Sequence, residues 1–257
     1  MLIEGRENSL IFILIASAVI YYYSYMAKKG KVPQIRRLPA IDAIEEAVAR
    51  CAELGRPAHF TAGMGHLRTD TGPQTIAGLD ILGYMSKICA RLGVPIIASV
   101  CNPETLPLHE EVIRQGYILE GVPEEFNPDY SIRYLSNQQK SYASGVIGVM
   151  QRDKPACNIV IGPLYGEIYT LLEAGRPVGA FTVGGTARII QVSVVAIMSD
   201  YTLIGEDLYA AGAYISEDPE VKGQIAGKDM LKWICLATLI LGVLGRFVGF
   251  DLSTLLS

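Results

Sequence analysis

Three glycine-bearing turns are where this chain could hold a ligand. The segment Ala62-Gly63-Met64-Gly65-His66-Leu67-Arg68-Thr69-Asp70-Thr71-Gly72 joins an apolar strand to a helix. In such a turn the backbone N–H groups and the start of the next helix can face an anion, and Arg68 or His66 would add positive charge for a phosphate. The same type of position recurs at Gly162-Pro163-Leu164-Tyr165-Gly166-Glu167 and at Gly184-Gly185-Thr186-Ala187-Arg188, where Thr186 and Arg188 form a second phosphate pair. The glycine spacing matches neither a dinucleotide fingerprint nor a Walker motif. An ordinary capped surface turn has the same composition, so both readings stand at this point.

Other candidates are thinner. Asp200, Glu206 and Asp207 follow an apolar run, where carboxylates can bind magnesium or act as general acid and base; they equally suit the positive end of a helix dipole. Cys101 lies between a strand and a helix, a place where a thiol can become nucleophilic, but no base is paired with it. There is no Gly-x-Ser-x-Gly and no His-Glu-x-x-His. The histidines (His59, His66, His109) are unclustered, and the five cysteines (Cys51, Cys89, Cys101, Cys157, Cys235) are odd in number, scattered and without Cys-x-x-Cys. These patterns predict no metal site, no disulfide framework and reduced thiols. No cofactor is identified, and enzymatic activity stays open, with the balance against it.

The elements that must position these residues are legible from periodicity. Ile41, Ile44, Ala47, Val48, Cys51 and Leu54 mark one face of a helix over 41–54, which Gly55 and Pro57 end. A strand at 58–61, a helix at 74–92 and a buried strand at 95–100 follow. Asn102 and Pro103 open the next helix, which runs to about Gln115. Residues 116–139 are irregular. Helices at 142–152, 165–173 and 206–215 alternate with strands at 158–161 and 178–183 and with the β-branched run 191–198, read as a strand. This predicts an α/β domain over 41–229, after a basic linker at 28–40, with a mainly parallel sheet covered by helices on both faces in Rossmann-like layering. Residues 53–65 echo 173–185: each reads helix, Gly-Arg-Pro, Phe-Thr, glycines. Either the chain contains an internal duplication, or two αβ turns share the same chemistry.

Two hydrophobic segments bracket that domain. Leu10–Met26 is uncharged, ends in Tyr21, Tyr22, Tyr23 and Tyr25, and is followed by Lys28, Lys29, Lys31, Arg36 and Arg37. Trp233–Phe250 is preceded by Lys222, Lys228 and Lys232. Each is close to the roughly 17–25 residues a bilayer helix needs, so transmembrane helices are expected at 1–27 and 230–257. The positive-inside rule puts the domain in the cytoplasm and both termini outside a cell membrane crossed twice. Basic residues after the first segment, not before it, argue against a cleaved signal peptide. Gly242, Gly245 and Gly249 would let the second helix pack closely. A net charge of −4 gives no basic stripe for nucleic acid. The expected partners are the lipid bilayer and further copies of the chain.

The runs Leu38–Pro57, Gln74–Gly83 and Leu203–Gly212 resemble a family of prokaryotic membrane proteins that carries only a domain-of-unknown-function label. The resemblance implies a membrane-anchored α/β domain and supplies no catalytic residues. Three functions follow as expectations. The first is a membrane-tethered scaffold that assembles as a homo-oligomer. The second is an enzyme or sensor for a phosphate-bearing ligand at the glycine turns. The third is an accessory subunit among other membrane subunits of a transport complex.

Overall fold

A computed structural model describes residues 7–31, 37–216 and 218–247. They divide into two units, 38–215 and the flanking termini. In the first, the sheet contains β1 (Ala58–Thr61), β2 (Ile96–Val100), β3 (Ile132–Tyr134), β4 (Cys157–Ile161), β5 (Phe181–Thr186) and β6 (Tyr201–Ile204). Their order is β3-β2-β1-β4-β5-β6, with every pair parallel. The sequence winds outward from β1 to one edge, then returns and winds outward from β4 to the other. This reversal between β1 and β4 is the switch point of a doubly wound sheet.

After α1 (Glu7–Lys28) and α2 (Pro39–Leu54), the long crossovers that parallel strands need are supplied by α3 (Gly72–Leu92), α4 (Leu106–Leu119), the single turn α5 (Pro128–Ser131), α6 (Gln139–Asp153), α7 (Ile168–Glu173) and α8 (Ile189–Met198), and α9 (Glu206–Ile215) and α10 (Pro219–Phe247) follow β6. One sheet face, carrying Ala58, Phe60, Ile96, Ala98, Cys157 and Ile159, shares a core with α2, α3, α4 and α9. On the other face, Val160 packs with Tyr142, Val146 and Met150 of α6, Leu171 and Leu172 of α7, and Val195 of α8. Local signals end the helices as expected: Gly55 and Gly93 adopt the left-handed conformation after α2 and α3. Gly78 lets α3 approach β4, since a Cβ there would stand 2.8 Å from the Ile161 carbonyl oxygen.

Several expectations need correction. The run 191–198 lies within helix α8, not a strand. Joining β5 to its parallel neighbour β6 requires a crossover, and this requirement overrides the β preference of valine and isoleucine. The strand itself is β6, which begins three residues after that run, and β3 emerges inside the segment read as irregular. Gly184 and Gly185 sit within β5, paired with Val160 and Ile161 of β4, whereas Gly63 and Gly65 lie in a loop. The echoed segments therefore do not place their glycines equivalently. Gly175 also has φ −75, while Gly55 has φ 61. The Gly-Arg-Pro of the first copy has a structural use: the Arg56 guanidinium donates to the carbonyls of Lys154 (2.5 Å), Pro155 (2.9 Å) and Val178 (2.8 Å). It fastens the segments that lead into β4 and β5.

The second unit holds α1 and α10. Helix α1 is long and apolar enough over Leu10–Lys28 to span a membrane, the one such helix among the described residues. The second expected span, 233–250, is not an independent helix. It forms the end of α10, whose first half carries Glu220, Lys222, Lys228, Asp229 and Lys232, and 248–250 lie outside the described residues. The two helices pack antiparallel through Gly223, which approaches Tyr23, Ser24 and Ala27, and Gly227, which approaches Ile20 and Tyr23. A Lys28–Glu220 ion pair at 2.7 Å closes that end. Gly242 meets nothing within 4 Å, and Gly249 lies outside the described residues. Among the described residues the close-packing pair is Gly223-x-x-x-Gly227, one turn apart on one helix face; the surroundings of Gly245, like Gly249, lie outside what is described.

Candidate functional site

The carboxyl ends of β1, β4 and β5 bring the predicted turns to one edge of the sheet. Loop 62–71 leaves β1, turn 162–167 leaves β4, and Ala187-Arg188 leaves β5. The middle turn touches both neighbours. The Met64 N–H donates to the Pro163 carbonyl at 3.3 Å, and the Arg188 guanidinium lies over the Tyr165 ring, 4.0 Å from its centroid. Gly63 and Gly65 are required here by close packing: a Cβ on Gly63 would come within 2.6 Å of Leu164, and one on Gly65 within 2.9 Å of Pro163.

Several N–H groups of loop 62–71 are engaged within the protein. Gly63 N–H donates to Thr61 Oγ1 (3.0 Å), His66 N–H to Thr71 Oγ1 (3.2 Å) and Leu67 N–H to Glu104 Oε1 (3.0 Å). Asn102 bonds the ring of His66 (2.6 Å) and donates to the Gly65 carbonyl (3.3 Å), so the loop is pinned to the start of the next crossover. The Leu67 N–H also holds the Glu104 carboxyl below its ordinary pKa. Arg68 is exposed on this loop. Thr186 is buried at the end of β5, and its Oγ1 accepts from the Arg188 N–H at 3.2 Å; the pair forms a side-chain-closed turn. Gly184 and Gly185 face packing partners: a Cβ on Gly184 would collide with Ser199 Oγ of the α8 end, and one on Gly185 would meet Leu203 at 3.1 Å.

A cavity of about 400 Å³ opens beside the β4 turn. Gln139, Lys140, Ala143 and Ser144 from the first turns of α6 line it, with Gly166, Glu167 and Thr170 opposite. Its size falls within the range of small-molecule pockets. Glu167 is 3% exposed; its Oε2 accepts from Gln139 Nε2 at 2.6 Å and its Oε1 from the Tyr165 N–H at 3.0 Å. These bonds fix the carboxylate while leaving it lone pairs. The first turn of α6 has neither an acidic residue nor a side-chain cap, so its N–H groups complement a negative ligand group. Sequence reasoning placed the 162–167 turn at a strand end but missed Glu167, Gln139 and Lys140. The first belongs to β4's exit and the other two to a helix that starts after β3, and only the winding order brings them together.

Cys101 is buried behind this region, and burial, helped by the charge of Glu167, pushes its thiol up to about 11. That is the opposite of an activated nucleophile. Asp200 sits at the amino end of β6, where its carboxylate accepts from the Thr182 N–H at 2.8 Å, far from the carboxyl-edge role considered for it. Glu206 and Asp207 occupy the first turn of α9, the position the helix dipole favours.

A polar chain runs under the site, wholly inside the protein. Asn158 Nδ2 donates to the Leu171 carbonyl at 3.0 Å, which turns its Oδ1 toward His59 Nδ1 at 2.9 Å. Nδ1 therefore carries the proton and Nε2 accepts from the Ser99 hydroxyl at 2.8 Å. Tyr142 donates to the Ser99 carbonyl at 3.0 Å and accepts from Thr61. Ser99, His59 and Asn158 imitate a nucleophile–base–orienter triad, yet all three are 0% exposed. Burial also drops the His59 pKa to about 4. The arrangement is a satisfied core network, and its members come from three strands that no linear motif connects. Among the described residues no cluster of His, Cys, Asp or Glu could hold a metal ion.

The chain belongs to a protein family described as Domain of unknown function (DUF6754), which matches residues 1–256. No curated protein and no solved structure matches it.

Proposed function

We propose that this chain is a membrane-tethered α/β domain that binds a small, polar, phosphate-bearing ligand at the carboxyl edge of its sheet. The observation that carries this reading is the cavity beside the β4 turn, next to the point where the winding reverses, because doubly wound sheets bind ligands in the crevice at that place. The N-terminal turn of α6 and Lys140 would take the phosphate, and Ser144 and Glu167 would take hydroxyl groups. Arg188, over the ring of Tyr165 next to the lining residue Gly166, would add charge nearby. No bond-making step follows from these groups, so the reading is a binding or sensing domain. Helix α1 and the apolar end of α10 would form the tether, with residues 38–215 on the cytoplasmic side, both termini outside and the lysines after α1 facing that side.

The test is thermal unfolding of the full chain in mild detergent against inorganic phosphate, sugar phosphates and nucleotides. A ligand that raises Tm should lose its effect in Lys140→Ala and Glu167→Gln. If none of these compounds shifts Tm, the reading fails.

A second reading, self-association as a scaffold, is favoured by the open flank of α10. Gly242 has no neighbour within 4 Å, and Leu236, Leu239, Leu241 and Leu244 are exposed. Another copy, or another membrane subunit, could pack there. The mass of the gently solubilised native complex separates these cases: a closed homo-oligomer supports the scaffold, a stoichiometric second protein supports the accessory role, and a monomer removes both.

A further inference from the structure

The outer face of α8 is not used by the ligand site. Its ten residues include no charged side chain, and only Val195 is buried. Ile189, Ile190 and Ile197 are 89%, 83% and 79% exposed. Ser193 and Ala196 are exposed as well, which gives the i, i+3, i+4 and i+7 spacing of a single helical stripe. A short apolar helix belongs in a core or at a membrane interface, and isoleucines at this exposure exclude the core for that stripe.

Area decides between a second protein and a lipid surface. Ten residues make a helix about 15 Å long and roughly 10 Å wide, so one face contributes on the order of 150–300 Å² of contact. A stable protein interface needs about 800 Å² per partner. A lipid surface sets no such minimum, because each buried methylene adds its own increment. A tether also makes the encounter intramolecular. The flanks suit headgroup depth: Arg188 is the N-cap of α8, Tyr201 follows the helix and is 39% exposed, and α7, which packs beside α8, presents Tyr169 at 60% exposure.

We propose that α8 is a membrane-docking helix whose isoleucine stripe lies in the headgroup–acyl boundary of the bilayer that α1 anchors. This rests on the membrane tether in the function proposed above and is independent of the ligand. The test uses the full chain with its only tryptophan removed by Trp233→Phe, in vesicles of phosphatidylcholine and phosphatidylglycerol with brominated acyl chains. A tryptophan introduced by Ile197→Trp should be blue-shifted and lose most of its emission to the bromines. One introduced by Ile118→Trp, on α4 against the opposite sheet face, should keep its emission. Adding Ile190→Glu should restore the emission of the Ile197→Trp protein. If the chain floats with the vesicles and the Ile197→Trp signal is not quenched, the anchor stands and the docking is wrong. Cross-linking between copies at position 197 without quenching would identify a second copy as the occupant and overturn the lipid assignment. A chain that does not float removes both the tether and the docking.

Discussion

The two faces of the sheet are built from the same three central strands and differ in kind. Alternate residues of β1 point opposite ways: Ala58 and Phe60 enter a core of aliphatic side chains, while His59 and Thr61 join Ser99, Asn158 and Tyr142 in a closed hydrogen-bond chain. The first face gains its stability from burial, which tolerates shape changes of similar volume. The second depends on every donor having its acceptor, since an orphaned buried group costs its full desolvation. The polar face is also the one whose helices α6 and α7 frame the cavity. Stiffness under the site and the site itself therefore share a layer.

The comparison can be broken most directly at Phe60. Phe60→Ala should cost about 3–5 kcal/mol in the unfolding free energy of the full chain in detergent; a loss below about 1 kcal/mol would mean that this face is not the main apolar core. Acid should act on the opposite face. With its pKa lowered by burial to about 4 from 6.5, His59 binds its proton more readily in the unfolded chain. Its contribution is complete above pH 6.5 and falls as pH drops toward 4, by about 3 kcal/mol in all. His109, also lowered by burial, acts in the same direction, and Asp80, whose carboxyl burial raises, acts in the opposite one. Unfolding measured between pH 7 and 4.5 should show this slope in the native chain, and His59→Gln should remove the His59 share of it while the His109 share stays. An unchanged slope would assign the acid sensitivity elsewhere.

Asn158→Ala should cost about 2–3 kcal/mol, because it strands the His59 Nδ1–H and the Leu171 carbonyl together. If Asn158→Ala were neutral while Asn158→Leu stabilised, the polar face would be dispensable for stability. The smallest expected effect is Ser99→Ala, about 1 kcal/mol from one unpaired Nε2, read best as a double-mutant cycle with Asn158→Ala.

How legible this was follows from where each signal resides. Helix ends marked by Gly55 and Gly93, strand β1 and helix α9 are written in local chemistry, in glycine geometry and in apolar period. Strand β3, with three residues, is too short for any periodicity to declare itself, and β6 is overshadowed by the longer β-branched run of α8 just before it. Helix α8 consists of residues that prefer strands and is helical because of where β5 and β6 lie. The site divides the same way. The strand-end turns at 62–72 and 162–167 could be read from glycines, whereas Gly184 and Gly185 lie inside β5 and only Ala187-Arg188 leave it. Glu167 facing Gln139, and Ser99 facing His59, depend on strand order, which no window of sequence contains.

The glycine contact between α1 and α10 fixes an order of events during synthesis. Gly223 and Gly227 receive the backbone of α1 around Ile20–Ala27, so that face of α1 waits for α10 to be made. About 190 residues separate the two helices, which at ribosomal rates is roughly 10–40 s. Through that interval α1 stands alone while the whole intervening domain is translated and folds. Whatever else can grip the Ile20–Ala27 face competes with α10 for it. Nascent chains arrested before residue 219 should cross-link through that face to membrane-insertion factors, and completed chains released from the ribosome should not.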